Sequence, residues 1–129
     1  MIVVDTSAAV AALLGQASAR DALLGHRLIA PHVIDAEVAH ALRGLVIGKQ
    51  LTSGQGANVL SAWSRLALDR LPMAPLLPRV WELRENLTAY DALFVAAAEA
   101  HGVPLVTGDR RLAAATGPRC RIDLIARLP

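Results

Sequence analysis

Ile2-Val3-Val4-Asp5-Thr6-Ser7-Ala8-Ala9-Val10-Ala11-Ala12-Leu13-Leu14-Gly15 is the stretch that decides the fold. Its β-branched start reads as a short strand, Asp5-Thr6-Ser7 as a helix N-cap, the Ala/Leu run as a helix and Gly15 as its stop. A strand that passes straight into a helix is the first half of a βαβ unit. The same alternation recurs to the end of the chain. A short helix is expected from about Ala17 to Leu24, closed by Gly25. Leu28-Ile29-Ala30 is a strand halted by Pro31, and Val33 to Ile47 carries Ile34, Val38, Leu42 and Leu45 at helical spacing. Thr52-Ser53 opens a helix to about Leu68. Leu71 to Leu76 reads as a strand whose prolines, Pro72 and Pro75, confine it to a sheet edge. Pro78 starts a helix running to Asn86, and Thr88 caps another from Tyr90 to His101, stopped by Gly102 and Pro104. Leu105-Val106 is a strand leading to Thr107-Gly108-Asp109, followed by a short helix to Thr116 and a last strand, Ile122 to Ile125. Five short apolar strands separated by helices predict right-handed crossovers and an α/β fold with a parallel sheet covered on both faces.

Composition agrees with that burial. Of 129 residues, 54 % are hydrophobic and only 19 % charged; with the nine glycines added, the apolar share stands well above the roughly 45–50 % of ordinary domains. Disorder is excluded, and the length suits one domain spanning 1–129. The longest apolar runs, Ala8 to Leu14 and Ala92 to Ala98, fall far short of the roughly 18 residues a membrane span needs. No membrane association is expected. Met1 to Asp5 lacks a basic leader and the lone Cys120 cannot form an internal disulfide, which together point to the cytoplasm. The histidines at 26, 32, 40 and 101 show no zinc spacing.

Four of the eleven acids occupy unusual places. Asp5 ends the first strand, where open α/β sheets place ligands, although an N-cap explains it equally. Asp109 follows the Leu105-Val106 strand on a Gly-Asp turn, with a turn or cap as the competing reading. Glu37 flanks the apolar stripe of its helix, a position that a solvated edge residue also takes. Asp91 begins a helix that is apolar all round, on the face of Val95 and Ala98, and a buried carboxylate there calls for a cation. If the first strand and the Leu105-Val106 strand are neighbours, Asp5 and Asp109 face each other at a topological switch point. The helices bearing Glu37 and Asp91 then close over the same crevice. Carboxylate pairs near 4 Å repel by roughly 4 kcal/mol at an effective dielectric of about 20. A hard divalent cation resolves this, and oxygen-only ligands suit Mg²⁺ or Mn²⁺.

These residues resemble the PIN-domain endoribonucleases, most closely the VapC toxins of type II VapBC toxin-antitoxin systems. The resemblance spans nearly the whole chain through Ile2-Val3-Val4-Asp5-Thr6-Ser7, Pro31 followed by Glu37, Leu87-Thr88-Ala89-Tyr90-Asp91-Ala92, and Leu105-Val106-Thr107-Gly108-Asp109 with Leu112 behind it. It implies a PIN-like α/β/α sandwich around a five-stranded parallel sheet, and Mg²⁺-dependent cleavage of single-stranded RNA leaving a 5′-phosphate and a 3′-hydroxyl, with Mn²⁺ able to substitute. Carried over by residue, Asp5 and Asp91 are metal ligands and Asp109 completes the cluster. Glu37 orients the attacking water or binds a second ion. Thr107 takes the family's hydroxyl position near the metal, with Thr6 a second polar neighbour of Asp5. The resemblance also implies a homodimer, and inhibition by a cognate VapB-type antitoxin in a hetero-oligomer.

Charge fits an RNA substrate. Setting the four acids aside turns a formal net charge of +2 into +6 for the rest of the chain, an acidic pocket in a basic body. Arg110 and Arg111 are candidate RNA contacts, or simply a solvated helix start. Of the four aromatics, Tyr90 and Phe94 fall in the helix read as buried, which argues against broad base stacking. Other α/β classes fit less well. A haloacid-dehalogenase-like phosphatase needs a second Asp where Ser7 stands, a response-regulator receiver needs a late Lys where the chain has only Lys49, and Gly54-Gln55-Gly56 lacks a preceding strand and a third glycine. A PIN-like protein that acts only by binding its partner remains the non-enzymatic alternative, and retention of all four acids argues against it.

Overall fold

A computed structural model describes residues 1–126. Five parallel strands form one sheet: β1 (Ile2–Val4), β2 (Leu28–Pro31), β3 (Asp69–Leu71), β4 (Leu105–Thr107) and β5 (Ile122–Leu124), in the order β3-β2-β1-β4-β5. The register pairs Val3 with Ile29 on one side and with Leu105 on the other, so the expected adjacency of the first strand and the Leu105-Val106 strand is present. Between them run α1 (Thr6–Leu13), α2 (Ala17–Leu23), α3 (Ile34–Ile47), α4 (Ser53–Ser64), α5 (Leu77–Glu82), α6 (Ala89–His101) and α7 (Arg110–Ala113). α1 packs on α2 and α3, and α3 on α4; α5 packs on α6, which lies over β1 and β2. The direction in which strands are added to the sheet reverses between β1 and β4. Connections from β1 lead outward through β2 to β3, whereas the crossover after β3 returns to the other side of β1, and this places the switch point at the carboxyl ends of β1 and β4.

The core explains the apolar excess. All three residues of β1 and of β4 are buried, and α6 contributes an unbroken buried run from Ala92 to Ala98. No helix among the described residues is long and apolar enough to cross a membrane.

Several boundaries differ from expectation. β3 is Asp69–Leu71, not Leu71 to Leu76, although it does lie at the sheet edge; Pro72 ends it, and Ala74–Leu76 is a 3₁₀ turn with a proline in its first positions. Its polar residues are held by ion pairs to Arg27 and Asp35, a signal that hydrophobic patterning does not carry. α4 ends at Ser64 rather than Leu68, α5 at Glu82 rather than Asn86, and α7 at Ala113 rather than Thr116. Gly54 and Gly56 belong to α4, whose Thr52–Gln55 capping box opens it. Gly56 is the point where α4 meets α3, since a β-carbon there would stand 2.7 Å from Val46 Cγ2.

Candidate active site

Asp5 is 6 % exposed and fully engaged. Its extended backbone just past β1 turns the carboxylate onto the α1 amino terminus, and Oδ1 accepts the Ala8 N–H at 2.9 Å. The Ser7 hydroxyl donates to the same oxygen at 2.7 Å, and the fully buried Thr107 hydroxyl donates to Oδ2. Both hydroxyls also accept main-chain protons from the turn after β4. Gly108 N–H donates to Ser7 Oγ at 2.8 Å and Asp109 N–H to Thr107 Oγ1 at 3.0 Å. Asp5 is therefore a helix cap that also lines a cavity, so capping and exposure to that cavity do not compete. Ser7 is the member of this arrangement that sequence reasoning missed. Its signal was the hydroxyl two residues after the acid, where a short side chain can fold back on its neighbour.

The other acids come in from three further elements. Glu37, about one turn into α3, accepts the Thr6 hydroxyl at 2.8 Å. Asp91 lies in the first turn of α6, where its N–H donates to the capping Thr88 hydroxyl at 3.2 Å. Asp109 caps α7 by accepting the Arg111 N–H at 2.9 Å, so the cap reading holds for it too. All four carboxylates line one cavity of about 340 Å³, together with Thr6, Ser7 and Phe94. The expected crevice is present, but the acids stand around it: Asp91 is half-buried rather than buried. Arg111 lies at the rim with its guanidinium 3.7 Å from Asp109, while Arg110 is exposed on the same turn. Tyr90 departs from expectation. It sits on the outward side of α6 with 60 % of its surface exposed, unlike Phe94 at 2 %.

Electrostatics ties the acids together. Burial pushes the Asp5 carboxyl above its ordinary pKa, against the opposing donors Thr107, Ala8 N–H and Ser7, and the charge of Asp91 pushes the same way. Burial also raises Glu37, helped by the charges of Asp91 and Asp5 and opposed by Thr6. Asp91 is raised by burial and by Asp109, with Arg111 and Thr88 pulling it down. Three carboxyls held above their ordinary range around one cavity form a site that gains from a cation. By contrast Asp35, two residues before Glu37, is lowered, chiefly by the Arg70 guanidinium that grips it at 2.7 and 2.9 Å.

Residues 2–118 match the PIN domain family. The chain belongs to the PIN-domain family, in its VapC ribonuclease branch. It is 46 % identical over 127 residues to the ribonuclease VapC9 of Mycobacterium tuberculosis, covering 98 % of this chain and all of that protein. Among solved structures, PAE2754 of Pyrobaculum aerophilum aligns with a TM-score of 0.72 at 25 % identity, over 95 % of this chain and 83 % of that one. A chain in the VapBC2 structure from Rickettsia felis aligns with a TM-score of 0.73 at 18 % identity, over 98 % and 100 %. The strand order around β1 is thus the PIN α/β/α arrangement, and the four acids of this PIN domain sit at its switch point.

The donor chemistry of this PIN-domain cavity suits a hard cation. Oxygen is the only donor element offered by its acids and hydroxyls. Among the described residues no three His, Cys, Asp or Glu side chains stand close enough together to hold a metal ion by themselves.

Proposed function

We propose that this chain is the toxin of a toxin-antitoxin pair and hydrolyses single-stranded RNA at the four-acid cavity with Mg²⁺, or Mn²⁺, as cofactor. The observation that carries this is the convergence of Asp5, Glu37, Asp91 and Asp109 from four elements onto one cavity with three of their carboxyls raised. Asp5 and Asp91 would hold the ion and Asp109 would complete its surroundings. When bound, the ion supplies Lewis acidity toward a phosphate oxygen and acidifies a water.

The residues supply the rest. Ser7, Thr107 and the Ala8 N–H fix Asp5 so that it enters the cavity without a choice of rotamer. Glu37, anchored at one oxygen by Thr6, has the other to orient the attacking water. Its raised pKa suits it to take that water's proton as the oxygen bonds to phosphorus and the bond to the 3′-oxygen breaks, the departing 3′-oxygen taking a proton from solvent water. A 5′-phosphate and a 3′-hydroxyl remain. Arg111 beside Asp109 and the exposed Arg110 on the same turn can take neighbouring phosphates, and the +6 body draws in the backbone.

The relatives' designation as VapC ribonucleases and the VapBC complex among the structural neighbours support an antitoxin partner and a hetero-oligomer. Exposed Leu24, Ile47 and Trp81 provide apolar surface for such a partner and for a homodimer. Action in the cytoplasm, where RNA and a reducing environment coincide, completes the proposal. The test is cleavage of end-labelled single-stranded RNA: cutting that yields 5′-phosphate ends and stops in EDTA is expected. RNA left intact by the wild-type chain with Mg²⁺ and with Mn²⁺ would overturn it.

A further inference from the structure

A second cavity, of about 590 Å³, adjoins the acidic one and shares Thr6, Glu37 and Ala41 with it. Along α3 its lining follows one helical face, Val33, Ala36, Glu37, His40 and Ala41, and Tyr90 of α6 joins them. Two of the four acids are tied to this groove: Glu37 lines it, and Asp91 directly follows Tyr90 in the chain. Among the described residues no Lys or Arg lines the groove. With the Glu37 carboxylate on the shared wall, it repels a phosphate and accepts an uncharged, flat group instead. Ala36 and Ala41 leave room for it, while the Tyr90 ring, 60 % exposed, offers a face. Unstacked bases of single-stranded RNA lie on such aromatic faces, Tyr and His among them.

We propose that the Tyr90–His40 groove is a nucleobase subsite that holds the base of the nucleotide adjoining the phosphodiester in the acidic cavity. The inference rests on the ribonuclease reading and adds a substrate-positioning role for Tyr90 and His40. Stacking fixes the sugar-phosphate backbone relative to Glu37 and Asp91, since one helix face carries both His40 and Glu37 and one helix start carries both Tyr90 and Asp91. Base identity is then read in this groove and not by the acids.

The experiment uses the full chain and a single-stranded RNA oligonucleotide that the wild-type protein cuts, with Mg²⁺ present. Tyr90→Ala should raise KM by roughly 5- to 150-fold, the range that loss of one stacked base gives, while kcat is retained. Tyr90→Phe should behave as wild type, and His40→Ala should shift KM in the same direction as Tyr90→Ala. Tyr90 is exposed and alanine favours helices, so these variants should fold. Abasic substitutions scanned along the oligonucleotide should weaken wild-type binding at one position beside the cut, and Tyr90→Ala should be indifferent to the same substitution. A purely structural role for Tyr90 would not remove that sensitivity. Wild-type KM in Tyr90→Ala, or unchanged sensitivity to the abasic position, overturns the subsite and leaves the ribonuclease reading standing. A wild-type chain that cuts no RNA overturns both.

Discussion

Thr107→Val removes a buried hydroxyl and little volume. In the native protein that hydroxyl donates to Asp5 Oδ2 and accepts the Asp109 N–H. A hydrogen bond to a charged group contributes about 1.5–3 kcal/mol and a neutral one about 0.5–1.5 kcal/mol, and here both partners are left at a site with little water. The expected loss is about 2–4 kcal/mol, or roughly 8–16 °C in melting temperature for a chain of this size. The penalty also has a pH signature. Asp5 has a raised pKa in the folded state, so the native protein takes up a proton before the unfolded chain does. Thr107 is the strongest donor opposing that rise, and its contribution is fully present while Asp5 is ionised. The difference between wild type and variant should therefore be largest near neutrality and shrink as pH falls through the Asp5 pKa. Urea denaturation in EDTA, at neutral pH and again near pH 5, measures both quantities. Thr107→Ser, which keeps the hydroxyl and loses a buried methyl, should cost only about 1 kcal/mol. A Thr107→Val loss below about 0.5 kcal/mol at neutral pH, or a penalty that grows on acidification, would refute the claim that this hydroxyl holds a charged Asp5.

Glu37→Gln keeps an oxygen for Thr6 and removes a charge whose raised pKa marks its cost to the metal-free fold; cleavage should fall by about 10²-fold or more, while the melting temperature in EDTA at neutral pH stays equal or rises. Asp35→Ala strands the Trp63 indole N–H and releases Arg70, so it should cost about 2–3 kcal/mol in denaturation with kcat intact, separating this structural acid from its neighbour Glu37. Gly56→Ala should destabilise by about 1–3 kcal/mol through its clash with Val46, and Val46→Ala in the same chain should recover part of the loss.

The sheet was legible in the sequence wherever strand ends and chemistry coincided. Val4-Asp5 and Val106-Thr107-Gly108-Asp109 each join a fully buried strand to a polar turn, and the switch point follows once the two strands are neighbours. Hydrophobic patterning does not mark β3, because an edge strand needs no apolar run; Asp69 and Arg70 are held by charge, and the proline-bearing stretch after them turns into a 3₁₀ helix. Tyr90 precedes an apolar run and so reads as buried, yet the first turn of α6 reaches the cavities before the helix enters the core. The role of Ser7 depends on the turn after β4, far along the chain, which no local pattern carries. Local patterns located the four acids; the hydroxyls that fix Asp5 and the groove beside Glu37 depend on the packing of distant elements.

The central claim, that Asp5, Glu37, Asp91 and Asp109 act as one cation site, is tested most directly by titrating metal-free protein with Mn²⁺ and following loss of the free-ion electron paramagnetic resonance signal. Wild-type protein at neutral pH should bind Mn²⁺, with Asp5→Asn and Asp91→Asn each weakening binding about tenfold or more, and binding should fade as acid protonates the carboxyls. Equal Mn²⁺ binding by wild type and both variants, or none by the wild type, would contradict it.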